Sequence, residues 1–301
     1  MCAFRIISFD GGGIKGALST RILKRLAEKN PNLIKKTDLF AGTSTGALIA
    51  LSLAYGLNAD EIDDIYSYEN IKKIFGHKRF NLFHSRYKNK TLKKLISSTI
   101  PEDTTIGDLK KFVFIPSFNL KGVTEDHWQE IFFNNLKDNP TYREKVLDAA
   151  LASSAAPTYF PIHKNFIDGG VVTNSPAIAS VISTLNSNPD KYKLSDFRVL
   201  SIGTGITPKR IKSKNNNWGV LNWAINPFSS VKLPLISVLL NDTVQLEDLY
   251  AKELLGNNYL RINPLLLDDI ELDDYKKVPL LKEIADKYSL SNVDAFIKEN
   301  F

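Results

Sequence analysis

The chain has 301 residues, 43% hydrophobic and 24% charged, and a formal net charge of +6. That composition fits a globular protein with interior enough for one large α/β domain. Its single cysteine, Cys2, excludes an intrachain disulfide and fits a reducing compartment, and no apolar stretch approaches the roughly 20 residues a spanning helix needs.

Residues 4–9 form a near-continuous apolar run, which predicts a strand in a sheet covered on both faces. No secretory-signal pattern precedes it, so a cytoplasmic or membrane-peripheral protein is expected. An effector exported without a cleaved signal has the same pattern. Asp10-Gly11-Gly12-Gly13-Ile14-Lys15-Gly16 reads as a tight glycine loop. Apolar residues at helical spacing follow, Leu18, Ile22, Leu23 and Leu26, and Asn30-Pro31 ends them. Residues 39–43 predict a second strand and about 44–55 a helix. Asp60 is expected to cap a further helix over about 61–74. Residues 76–89 mix aromatic and basic side chains without a period, and a loop or short helical insertion, a lid over a site, is expected there.

Residues 111–119 and 128–134 read as strands, and about 142–153 as a helix broken by Ala155-Ala156-Pro157. A short strand then leads into Asp168-Gly169-Gly170, and Ser175-Pro176 opens another helix. Residues 197–202 predict a buried strand ending in Gly203-Thr204-Gly205. From 218 to about 255 the chain reads as largely helical, interrupted at Pro227 and Pro234. A last strand fits 259–262 and a final helical segment 279–301. Strands that alternate with helices and end in glycine turns predict an α/β fold, a mainly parallel central sheet wrapped by helices on both faces. Its site should lie at the carboxyl ends of the strands. Without repeats or low-complexity linkers, one domain is expected over 1–301, with its motifs in about 4–225 and a C-terminal helical part over about 226–301.

The junction of the second strand and its helix is Gly42-Thr43-Ser44-Thr45-Gly46, the G-x-S-x-G pattern of a nucleophile elbow. So sharp a turn admits no bulky side chain two residues either side of the serine, and Gly42 and Gly46 meet that demand. Ser44 would stand at a helix N-terminus, where free N–H groups favour a developing negative charge. A glycine-bracketed turn with an incidental serine is the plain alternative. Acyl transfer needs a nucleophile, a base and oxyanion donors. Gly11, Gly12 and Gly13 are candidates for the donors, and the amide of Thr45 adds another. Gly11-x-Gly13-x-x-Gly16 also matches a dinucleotide fingerprint. That alternative lacks its acidic residue at the end of the second strand, because Asp38 stands at the start of the run, and it leaves the serine turn unexplained.

The base is the harder assignment. None of His77, His84, His127 and His163 lies in a glycine turn at a strand end, and none follows position 163, where a Ser–acid–His order would require one. A carboxylate in such a turn is the better candidate, and Asp168 fits.

Together these residues resemble the patatin-like phospholipase family. Its signatures stand in order as the glycine loop at 10–16, Gly42-Thr43-Ser44-Thr45-Gly46 and Asp168-Gly169-Gly170. Lesser echoes are Ala152-Ser153-Ser154-Ala155-Ala156-Pro157, Ser201-Ile202-Gly203-Thr204-Gly205 and Trp218-Gly219-Val220-Leu221-Asn222-Trp223. The likeness runs from about residue 4 to about 225. It implies a patatin-like variant of the α/β-hydrolase fold and a lipid acyl hydrolase with a Ser–Asp dyad, no catalytic histidine and no metal or cofactor. By that carry-over Ser44 is the nucleophile, Asp168 the base, and Gly11 to Gly13 the oxyanion hole. Lys15 takes the family's basic position, to steady the loop or to face a phosphate.

The substrate this implies is a phospholipid or other acyl lipid at a membrane surface, with a protein activator compatible and nucleic acid not expected. Basic residues gather between 72 and 94 beside the aromatics Phe75, Phe80, Phe83 and Tyr87. Most of those lysines read as solvated faces, but together they suit an anionic surface. A membrane- or partner-binding protein with residual acyl transfer is the second reading.

Overall fold

A computed structural model describes residues 3–79, 83–121, 127–207, 218–224, 233–241, 243–267 and 269–301; Cys2, Phe80 and Pro227, singled out above, lie outside them. Within the described residues seven strands form one sheet: β1 (Phe4–Phe9), β2 (Leu39–Gly42), β3 (Phe112–Asn119), β4 (Gln129–Asn134), β5 (Phe166–Asp168), β6 (Phe197–Ile202) and β7 (Tyr259–Ile262). Their order is β4-β3-β2-β1-β6-β7, with β5 also on β3. The run from β3 to β7 is parallel throughout, and β4 and β5 run antiparallel to β3.

The near-continuous apolar run of β1 is buried on both sides, as expected. Ile7 and Phe9 enter one core cluster, with Leu18, Leu51 and Leu281; Phe4 and Ile6 enter another, with Val181 and Leu255. Helices Gly16–Lys29, Thr45–Tyr55 and Val278–Lys287 therefore cover one face, and Ala177–Ser187 and Thr243–Leu255 the other. Each large apolar side chain so enclosed contributes about 1.5–3 kcal/mol. The fold is α/β with a mostly parallel sheet between helical layers, as expected.

Two features of the topology make the site. From β1 the chain steps to β2 and β3 on one side, and β6 returns to the other, so the carboxyl ends of β1 and β6 flank a switch point. β2 is also short. It leaves β3 after Ala41, which pairs with Phe114, and β5 then pairs with β3 over residues 117–119. Since β4 occupies the other edge of β3 over that span, β5 fills the strip β2 has vacated. β2 and the antiparallel β5 thus meet end to end, bringing residue 168 to the turn after residue 42.

Elsewhere the elements depart from the sequence reading. The helix expected over 61–74 is two, Ala59–Ile65 and Tyr68–Phe75, and its cap is Asn58, not Asp60. Asn58 accepts the N–H of Glu61 while Glu61 accepts that of Asn58, a reciprocal box that fixes the start two residues earlier. Helix Lys90–Ser97 was not anticipated. The helix expected from 142 begins at Val146, after a 3-10 turn at Pro140–Arg143. Pro234 opens helix Pro234–Asn241 instead of interrupting one, and residues 278–300 form two helices, Val278–Lys287 and Ser291–Asn300. No helix among the described residues is long and apolar enough to cross a membrane.

Candidate active site

Ser44 has φ 55° and ψ −117°, a left-handed conformation that costs a residue with a side chain about 1–3 kcal/mol. The turn is tight enough to explain both flanking glycines. A Cβ on Gly42 would lie 2.0 Å from the carbonyl oxygen of Gly46, and one on Gly46 2.3 Å from that of Phe9. The strain holds the Ser44 side chain half-buried at the start of helix Thr45–Tyr55. Its own N–H donates to Ser153 Oγ at 3.0 Å, which ties the elbow to helix Val146–Ser153.

Asp168, the last residue of β5, meets it. Ser44 Oγ donates to Asp168 Oδ2 at 2.7 Å, and Gly170 N–H donates to Oδ1 at 2.8 Å. The carboxylate is only 2% exposed. Burial pushes its pKa up to about 6, against the opposite pull of the Ser44 and Gly170 hydrogen bonds. Gly169 is required for packing, because a Cβ there would lie 2.2 Å from the carbonyl oxygen of Pro116.

The glycine loop forms the third side. Gly13 has φ +59° and lies against Leu272, whose carbonyl accepts the N–H of Ile14 at 3.0 Å. Gly11, expected as an oxyanion donor, gives its N–H to the carbonyl of Asn174 at 3.0 Å and so anchors the loop. Gly12, Gly13 and Thr45 give their N–H groups to no acceptor among the described residues. Lys15 is 4% exposed and is not among the residues lining the cleft. Gly16 sits against Thr45 and Tyr66, and Tyr66 OH donates to the carbonyl of Thr45 at 2.9 Å.

All three groups open into one cleft of about 820 Å³ including its mouth. Leu48, Ile65, Ile74, Phe75, Leu92 and Phe160 supply much of its apolar wall, and among the described residues Asp168 is the only charged one lining it. No histidine among the described residues lines it, and His163 instead pairs through Nε2 with Asp148 at 2.8 Å. Asp38, the acid of the dinucleotide alternative, accepts the N–H of Arg5 at the amino end of β2, away from the glycine loop.

A family model described as Patatin-like phospholipase matches residues 7–180, more than half of the sequence. The chain belongs to the patatin-like phospholipase family. Membership in that family supports hydrolase chemistry. Protein teg of Priestia megaterium is 32% identical to this patatin-like chain, with all of both sequences aligned. A cGAMP-activated phospholipase of Vibrio cholerae is 29% identical over 90% of this chain and 85% of its own. Among solved structures, the ExoU–SpcU complex from the type III secretion system of Pseudomonas aeruginosa aligns at 17% identity with a TM-score of 0.47. That alignment covers 99% of this chain and 52% of the other, so the patatin-like chain spans about half of that solved chain.

Motif reading overlooked the residues that brace the patatin-like site from afar. Asp10, the first residue of the glycine loop, pairs with Arg261 of β7, whose Nη1 also donates to Ser201 Oγ at 2.7 Å and Ser175 Oγ at 3.2 Å. Glu247, on helix Thr243–Leu255, accepts the N–H of Ser175 at 2.7 Å, and burial pushes its pKa up to about 7. Residues 173–175 thereby link every part: Thr43 Oγ1 donates to the carbonyl of Thr173 at 2.8 Å, and Asn174 holds Gly11. Arg261 and Glu247 carry no local signature, and they stand roughly 80–90 residues beyond the Asp168-Gly169-Gly170 turn.

Proposed function

We propose that this protein hydrolyses ester-linked acyl chains of phospholipids, lysophospholipids or related lipids, with Ser44 as nucleophile and Asp168 as its base. The observation that carries this reading is the 2.7 Å hydrogen bond from Ser44 Oγ to Asp168 Oδ2 at the mouth of an apolar cleft. Asp168 accepts the hydroxyl proton as Oγ attacks the ester carbonyl carbon. The oxyanion forms against the N–H groups of Gly12, Gly13 and Thr45, and each such donor is typically worth about 10²–10³ in rate. Collapse of that intermediate expels the alcohol or lysolipid, which takes the proton from Asp168 and leaves an acyl-Ser44 ester. A water then attacks, its proton going to the same carboxylate, and the fatty acid departs with Ser44 restored. Acid and base roles alternate on one side chain, so no histidine is needed. The raised pKa of Asp168 suits this, because a group near 6 can both accept and return a proton close to neutral pH.

The cleft wall takes the acyl chain. Helices Tyr68–Phe75 and Lys90–Ser97 contribute Ile71, Ile74 and Leu92 to it while exposing Lys72, Lys73, Lys93 and Lys94. That arrangement suits a chain drawn from an anionic lipid surface. The reading treats residues 1–301 as one domain, with the last quarter bracing the motif-bearing part through Arg261 and Asp10.

Lipid mass spectrometry on mixed phospholipids, with wild type and Ser44→Ala side by side, tests the reading. Fatty acid release and fluorophosphonate labelling of Ser44 are both expected in wild type and absent in the variant. Turnover unchanged by Ser44→Ala rules the assignment out.

A further inference from the structure

Behind the cleft lies a second space, lined by Leu51, Ile96, Ile100, Val146 and Ala150 among others. Leu48, Ile65 and Leu95 line both. These three come from three different helices: Thr45–Tyr55, Ala59–Ile65 and Lys90–Ser97. Each is partly buried and packed on the main core. The two spaces thus adjoin across a wall of three aliphatic side chains.

The elbow helix serves as a ruler for this arrangement. Leu48 stands one turn beyond Ser44. Leu51, on the far side, is seven residues along, roughly 10 Å at 1.5 Å per residue. Among the described residues no charged side chain lines the second space, which suits hydrocarbon extending toward it from Ser44.

Resting on the acyl-hydrolase reading, we propose that Leu48, Ile65 and Leu95 form the end wall of the acyl-chain site. They set the longest chain that Ser44 accepts at full rate, and the second space is an extension behind them. Each methylene buried is worth about fourfold in binding, a gain that stops where the chain meets the wall. Beyond that length the chain must fold back or leave its end in water.

The test is a chain-length series on the full chain, using p-nitrophenyl esters of about four to sixteen carbons. Ser44→Ala serves as the control, and Ser44 labelling by alkyl fluorophosphonates of matching lengths as a second readout. In wild type, kcat/KM is expected to climb and then level or fall. In Leu95→Ala the optimum should move to longer chains by two carbons or more, with the long-to-short ratio raised about tenfold. Adding Ala150→Leu, which refills the extension, should return the optimum toward wild type. If Leu95→Ala does not fold, Ile65→Val and the labelling series carry the same comparison with a smaller shift. A wild-type rate that keeps climbing through the longest chains overturns the wall, as does an unmoved optimum in every folded wall variant. In both cases the functional reading survives, provided turnover still depends on Ser44. Turnover that persists in Ser44→Ala overturns the functional reading, and the wall with it.

Discussion

Asp168 is held where its charge is least welcome. The folded protein raises its pKa from 3.8 to about 6 by burial, so the folded state binds a proton that the unfolded chain has already lost between those values. Stability therefore falls as pH rises through that window and stays lower above it, by on the order of 3 kcal/mol. Asp168→Asn should relieve much of this cost, since an amide oxygen can still accept the N–H of Gly170. Thermal melts at pH 7.5 or so are expected to show the variant more stable than wild type by roughly 1–3 kcal/mol, with the difference vanishing near pH 4. Its ester turnover should fall nearly as far as that of Ser44→Ala, because nucleophile and base act as a unit. In wild type, kcat/KM should rise with pH through about 6, as the carboxylate becomes free to accept the serine proton. A flat profile from pH 5 to 8 would count against Asp168 as the base.

Elements explain why some of this was legible beforehand. The elbow announces itself because its geometry forbids side chains at Gly42 and Gly46, and few local arrangements make that demand. Gly46→Ala would force a Cβ to within 2.3 Å of the Phe9 carbonyl, and backbone cannot easily retreat. Denaturant melts should show a loss of several kcal/mol, or no folded protein at all. The roof helices are a contrasting case. Tyr68–Phe75 and Lys90–Ser97 are eight residues each; the first was expected only as the end of one longer helix over about 61–74, and the second follows a stretch of mixed character. Their stability comes from Ile71, Ile74, Leu92 and Ile96, which are buried only once the rest has folded. Reversing the charge of the exposed Lys72, Lys73, Lys93 and Lys94 should reduce hydrolysis of anionic vesicles at least about tenfold at low salt, with a smaller effect on a soluble ester. Vesicle sedimentation alongside turnover distinguishes lost binding from lost chemistry.

At the scale of the molecule, the site depends on parts that carry no motif. Arg261 reaches from β7 to Asp10, the first residue of the glycine loop, and both side chains are almost wholly enclosed. Removing one partner leaves the other charged and buried, which typically costs 3–5 kcal/mol. Arg261→Met should lower the unfolding midpoint accordingly. Glu247→Gln, which keeps an acceptor for Ser175, should be far milder in both melting and turnover than Glu247→Ala. The sequence by itself determined the strands around β1, the strained serine turn, the glycine loop and the Asp-Gly-Gly turn, because each leaves a short pattern of neighbouring residues that can be read in the chain. Only the tertiary structure decided that Ser44 and Asp168 meet, 124 residues apart, through a short β2 whose place beside β3 is taken over by β5. It alone decided too that Gly11 is an anchor and that Arg261 and Glu247 brace the cradle. Such roles depend on which strand edges and polar groups remain unpaired once distant segments have packed, and no local pattern of residues encodes that.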